Sequence, residues 1–225
     1  MNLSEISARL TDLLDLTEAP VAITFDATER VVDSRPSPQP AGCCFWEPAQ
    51  QTRITTQAVD HAHCSVGSYT HGFIPLATAA SGVDTAALVT SGWVGTADLV
   101  AAPALPFVPS SITYQPLAES TSPDVVLVRL SSTSLMTLMG AVPRLALTGK
   151  PQCTIVPLAQ AGTISVSPGC AVSRTRTNLP ADAMTCAIPA SDLQDVLDRL
   201  EASTTADRVV SAFAADDLNR NFAHA

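Results

Sequence analysis

A duplicated cysteine unit limits the fold of this chain more than any other feature. The stretch Gly42-Cys43-Cys44-Phe45-Trp46-Glu47-Pro48-Ala49-Gln50-Gln51 has a weaker copy about a hundred residues later, Gln152-Cys153-Thr154-Ile155-Val156-Pro157-Leu158-Ala159-Gln160. In both, proline stands four residues after a cysteine and glutamine seven residues after it. Each copy then runs through β-branched residues, Arg53-Ile54-Thr55-Thr56 in one and Gly162-Thr163-Ile164-Ser165-Val166 in the other. Each reaches a second cysteine with valine two places beyond, Cys64-Ser65-Val66 and Cys170-Ala171-Val172, after 20 residues in the first copy and 17 in the second. The pattern predicts one domain, residues 1–225, built from two pseudo-repeated halves at about 1–118 and 119–203, with 204–225 as a C-terminal helix and tail. Four cysteines in two matched pairs mark a candidate site.

Composition narrows the function. Hydrophobic residues make up 46% of the 225, enough for a sizeable core. Charged residues are only 15%, below the usual ~25%. That shortfall favours a neutral polar surface or burial of surface in a homodimer. The net charge is −9, with a single lysine, Lys150, among eleven arginines, and these form no cluster. Nucleic acid and anionic membrane surfaces are therefore not expected partners. The N-terminus has no basic segment leading into an apolar run, so no signal peptide is expected. The greasiest stretch, 99–109, is broken by Pro103, Pro106 and Pro109 and is too short to span a bilayer, which takes ~20 residues. The expected location is cytoplasmic, where thiols stay reduced. Six cysteines there read as ligands, reactive thiols or core residues.

Strands alternating with helices predict a mixed α/β layer fold. Residues 3–16 read as an amphipathic helix, 21–25 as a buried strand and 26–41 as a proline-rich loop. Pro48 suits the first turn of a short helix. Strands are expected at 52–57, 86–89, 112–117 and 124–130, the last being the clearest. Helices are expected at 65–73, 96–102 and 131–141, the last with Leu135, Met136, Leu138 and Met139 inward. Residues 181–187 also read as helix. A further helix capped by Ser191 runs to Leu200, a last one covers 205–213, and a loose tail starts at Asp217. Thr148-Gly149-Lys150 lacks the upstream glycine of a phosphate-binding loop and reads as a helix end.

Several of these stretches together resemble the bacterial and archaeal domain-of-unknown-function family 169. They are Ala19-Pro20-Val21-Ala22-Ile23, the Cys44-to-Cys64 unit, Pro123-Asp124-Val125-Val126, the Cys153-to-Cys170 unit, Arg174 and Ile188-Pro189. The resemblance implies cysteines at positions like Cys43 or Cys44, Cys64, Cys153 and Cys170, and an arginine like Arg174, but no settled activity. The doubled Cys43-Cys44 departs from that pattern. Cys186 has no counterpart in it and reads as a small apolar residue.

The four repeat cysteines, with either Cys43 or Cys44, would suit an iron–sulfur cluster or zinc at a site between the halves. Their wide separation lacks the Cys-x-x-Cys loops of zinc ribbons, and buried structural thiols are the plain alternative. Arg174 and Arg176 alternate about Thr175 and could both point one way from a strand. Arg174 is the candidate for holding a small anionic molecule, with His63 and Trp46 as neighbours. In an extended His61-Ala62-His63-Cys64 the histidines and the cysteine would face opposite ways. The expected activity is a cysteine-ligated metal or iron–sulfur protein binding or acting on such an anion. A metal-free small-molecule module, and a thiol enzyme using Cys43 or Cys44, are the alternatives.

Overall fold

The computed structural model describes residues 2–27 and 41–221. Helix α1 (Leu3–Leu14) forms because Ile6, Leu10 and Leu14 recur at helical spacing, and Asn2 caps it by accepting from the Ser4 N–H at 3.1 Å. Strand β1 (Val21–Asp26) follows. The expected loop at 26–41 falls mostly on residues 28–40, outside the described residues. Next come 3₁₀ turns at Gly42–Phe45 and Pro48–Gln50, strand β2 (Ile54–Thr56) and a 3₁₀ turn at Ala58–His61. Four short helices then fold over: α2 (Ser65–Thr70), α3 (Leu76–Ala80), α4 (Val83–Thr90) and α5 (Thr96–Ala101). Strands β3 (Ser111–Pro116) and β4 (Val125–Leu130), helix α6 (Ser132–Ala141) and the short strand β5 (Ala146–Leu147) come next. The second cysteine unit supplies a 3₁₀ turn at Gln152–Thr154, α7 (Ile155–Gln160), β6 (Ser165–Ser167) and α8 (Ala171–Thr177). Strand β7 (Met184–Pro189) and the long helix α9 (Leu193–Asn221) close the described chain.

All seven strands join one sheet in the order β2-β3-β1-β4-β7-β6-β5, giving a mixed α/β fold. Every pairing is antiparallel except β5 with β6. At its centre β1 lies against β4, with Val21 opposite Leu127 and Ile23 opposite Val125. Outward from that seam lie β3 then β2 on one side, and β7 then β6 on the other.

Because side chains alternate along a strand, the sheet carries two different cores. Ala22, Val126, Val128, Cys186 and Ile188 face α1, α6 and α9, where Leu10, Leu138 and Leu197 are fully buried. Ile23, Tyr114, Val125 and Leu127 face the other way, onto Phe45, Trp46, Ile155 and Val156 from the two cysteine units. One face is thus covered by helices that carry no cysteine, and the other holds the candidate site.

Several local expectations gave way to tertiary context. Residues 86–89 lie in α4, not in a strand. Residues 184–189 form β7, not helix, because Thr185, Cys186 and Ala187 are paired on both sides, by β4 and β6. Thr148 follows β5 and donates its N–H to Val166, so Gly149 ends no helix. Met136 is 74% exposed and Met139 48%, since only Leu138 and its neighbours one turn away meet α9. The two expected C-terminal helices are one continuous α9.

Beyond about Thr205, α9 leaves the core, with Val209 and Phe213 exposed. Leu197→Ala should therefore cost ~2–5 kcal/mol in denaturant unfolding, while Phe213→Ser should stay within ~0.5 kcal/mol of the parent. A loss at Phe213 as large as at Leu197 would mean that this end of α9 is packed against a partner in solution.

Candidate functional site

Each cysteine unit delivers its two thiols in the same manner. The first thiol sits on a 3₁₀ turn, Cys43 in Gly42–Phe45 and Cys153 in Gln152–Thr154. The second is the N-cap of a short helix. Cys64 Sγ accepts from the Gly67 N–H at 3.4 Å at the start of α2, and Cys170 Sγ accepts from the Ser173 N–H at 3.3 Å at the start of α8. The units are also cross-packed: α8 lies on the first 3₁₀ turn and α2 on the second. As a result Cys43, Cys64, Cys153 and Cys170 line one cavity of about 250 Å³, walled by Val66, Leu88, Trp93, Val94 and Leu99. Among the described residues, no three His, Cys, Asp or Glu side chains converge into a group that would hold a metal ion as they stand.

The cavity walls are fastened to the scaffold. Gln152 donates its Nε2–H to Thr185 Oγ1 on β7 at 2.8 Å, which anchors the Cys153 turn. Asp84 accepts from both the N–H and the hydroxyl of Ser65, at 2.8 and 2.6 Å, tying α4 to the first turn of α2 beside Cys64. Gly42 lets the first turn press on His61: a Cβ there would stand 2.6 Å from His61 Nδ1.

Burial sets the protonation of the thiols. Burial pushes Cys64 up, and Cys170 adds to the rise. Cys153 is pushed far up by burial and then by the charge of Cys64. Cys43 is raised first by its hydrogen bond to Cys44 and then by burial, and the Ser173 hydroxyl opposes the rise. Cys44 is correspondingly lowered to about 7, chiefly by that bond from Cys43, with the backbone of Ala41 and the charge of Arg176 assisting. Four adjacent thiolates in an apolar pocket repel one another, so without a cation the cavity favours the neutral thiols.

Two buried histidines stand beneath the first unit with their rings 5.3 Å apart. Thr56 spends its hydroxyl proton on Ile112 O, so His61 must donate from Nε2 to Thr56 Oγ1, at 2.9 Å. His71 Nδ1 bonds the Gly67 carbonyl at 2.9 Å, which only a donor can do. Both rings therefore present an unprotonated nitrogen, His61 Nδ1 and His71 Nε2, and neither has a partner among the described residues.

The residues singled out by sequence are divided by the fold. Cys43, Cys64, Cys153 and Cys170 come together, and Cys44 is buried outside the cavity lining. Cys186 lies in the core on the opposite face of the sheet. Trp46 packs in the core on the cysteine-bearing face, and His63 is exposed away from the cavity. Arg174 stands on α8, not on a strand, and its guanidinium donates to three backbone carbonyls, Pro168, Pro180 and Ala183. It braces the loops around α8, while Arg176, half a turn further on, lines the cavity. Sequence reasoning also passed over Trp93 and Lys150, whose Nζ lies 4.5 Å from the Trp93 ring centroid. Their only advance signal was that this chain has a single lysine.

A mixed sheet whose cysteine-bearing face gathers four thiols from two matched units defines a class of protein by its architecture. The chain belongs to the family DUF169, described as uncharacterised ArCR, whose profile matches residues 9–199. Neither the curated proteins nor the solved structures provided a match. Among the described residues, no helix is long and apolar enough to cross a membrane.

The histidine pair makes stability depend on pH. Burial pushes His71 down to about 4 from the usual 6.5, and burial followed by the charge of His71 pushes His61 well below 6.5. Between those values the unfolded chain binds more protons than the folded one, so stability rises with pH. It should be fully present above about 6.5 and drain away as the pH falls toward 4, by ~1.4 kcal/mol for each unit of a group's shift. Urea midpoints measured from pH 7 to pH 4 should show this decline. His71→Gln, which keeps the donor to Gly67 but cannot take up charge, should flatten it, and an unaltered slope would clear His71.

Proposed function

We propose that the chain is a thiolate-ligated metal protein, with an iron–sulfur cluster held by Cys43, Cys64, Cys153 and Cys170 and a small anionic molecule bound beside it. The observation that carries this reading is that one cysteine pair from each unit lines a single cavity. The donor set fits the group: four soft sulfur ligands are what such clusters take. A cation is also what lets these sulfurs ionise together, since burial and their mutual charge otherwise hold Cys64 and Cys153 protonated. The N–H groups of Gly67 and Ser173, already aimed at Cys64 and Cys170, are the kind of hydrogen bond that tunes a ligating thiolate.

A cluster is favoured over zinc because, among the described residues, no three of these side chains converge closely enough to hold a single ion as they stand. A single zinc ion, at ~2.3 Å from each sulfur, would draw them within ~4 Å of one another. When bound, a cluster would supply electron transfer or a Lewis-acidic iron. The chain's own part is to hold the sulfurs, exclude water with Val66, Val94 and Leu99, and place the cation Arg176 in the lining.

A metal-free binding module is the second reading, and the apolar walls speak for it. The thiol-enzyme reading has less support, because Cys44, the thiol lowered to about 7, is buried and lies outside the cavity lining.

Anaerobic purification, reconstitution with iron and sulfide, metal analysis and an absorption spectrum test the proposal. The parent should retain iron and colour, Cys64→Ser and Cys170→Ser should lose most of both, and Cys186→Ser should keep them. Because ligation displaces thiol protons, retention should also weaken as the pH is lowered. A colourless, metal-free parent would overturn the reading in favour of the binding module, and equal losses in all three variants would reduce the cysteines to packing.

A further inference from the structure

We infer that the mouth of the four-cysteine cavity is a subsite for a small carboxylate, with Lys150 and Arg176 as its two cations and Trp93 as its flat wall. The inference deepens the proposed function by giving the anion a place and a chemical class.

The chain is acidic, at net charge −9, yet its one lysine stands over Trp93, a residue of the cavity wall, with Nζ 4.5 Å from the ring centroid. Arg176 lines the same cavity from the last turn of α8, and its charge reaches the thiols, acting on both Cys44 and Cys64. Among the described residues Asp84 is the carboxylate of the lining, and its two oxygens accept from the N–H and hydroxyl of Ser65. Between the cations the wall is apolar: Val66, Leu88, Val94 and Leu99. Charges at the rim of a low-dielectric pocket act more strongly on a ligand than the same charges in open water.

The arrangement selects among anions. A guanidinium presents a planar fork that matches a carboxylate, and lysine adds a mobile point charge. The indole face and the apolar wall suit a short carbon body. A cavity of about 250 Å³ suits a small ligand and not a drug-sized one. Four thiolates nearby would repel any anion, and the two cations offset that repulsion.

Trp93 provides the readout, since Trp46, the only other tryptophan, is buried in the core. The full chain, with and without iron loading, is titrated anaerobically with pyruvate, acetate and inorganic phosphate while its fluorescence is followed. Pyruvate should give a saturable change that Trp93→Phe abolishes. Lys150→Met and Arg176→Met should each weaken it at least tenfold, with a circular-dichroism spectrum like the parent's showing that each variant is folded. No saturable response to any probe, or variants that bind as well as the parent, would overturn the inference. Phosphate binding more tightly than pyruvate would overturn the carboxylate assignment. Metal content measured on the same samples separates the two ideas. A chain that binds pyruvate but takes up no iron overturns the cluster alone, and an iron-loaded chain indifferent to pyruvate overturns this inference alone.

Discussion

The pairing of β1 with β4 is the interaction on which the rest of the structure depends. It joins the first strand of the chain to the one that follows the polar turn at 119–123, and Asp124 fastens the joint. Its N–H donates to Ile23 O at 2.9 Å, its side chain accepts from the Phe25 N–H at 2.8 Å, and its carbonyl accepts from the Ala190 N–H at 3.0 Å. One residue thereby ties β1, β4 and the end of β7. Antiparallel pairing in this register puts Ile23, Val125 and Leu127 on the same face. Both cysteine units pack on that face, so the position of the cavity follows from the seam.

The parts of this fold that could be read from sequence were those where local pattern and tertiary demand agree. Residues 21–25 and 124–130 are apolar, β-branched and bounded by turn residues, and they are the two central strands. Residues 181–187 read as helix because alanine and methionine favour it, while the decisive fact, a strand on each side of Thr185, Cys186 and Ala187, is non-local. Local propensity falls at Ser203-Thr204-Thr205, between the two expected helices, yet α9 runs through them. A helix already nucleated on Leu193, Val196, Leu197 and Leu200 propagates through such residues at small cost.

The site was legible in its sulfurs and not in its cations. Matched spacing singled out Cys44, Cys64, Cys153 and Cys170, yet the fold puts its neighbour Cys43 in the cavity lining and leaves Cys44 outside it. The sequence favours Arg174 over Arg176, and the folded positions depart from that reading because α8 is helical. In a helix two residues apart means opposite sides, and the side facing Pro168, Pro180 and Ala183 claims Arg174 as a brace. Trp93 and Lys150 are far apart in the sequence and meet only in the folded chain.

Wide ligand spacing also has a physical meaning here. Where cysteines sit two residues apart on a flexible loop, the ion itself holds the loop, and folding and metal uptake are one event. Here each sulfur is carried by its own turn or helix start, and the elements are held by bonds that involve no sulfur: Gln152 to Thr185, Ser65 to Asp84, Thr56 to Ile112. Both large cores lie on the sheet, and the cluster of buried side chains at the cavity itself is small, Val66, Leu99 and Cys153. The energy that shapes the cavity is therefore drawn from the scaffold and not from an occupant. Such a scaffold limits how much chain has to be ordered when a group binds, leaving mainly the thiols to close in on it.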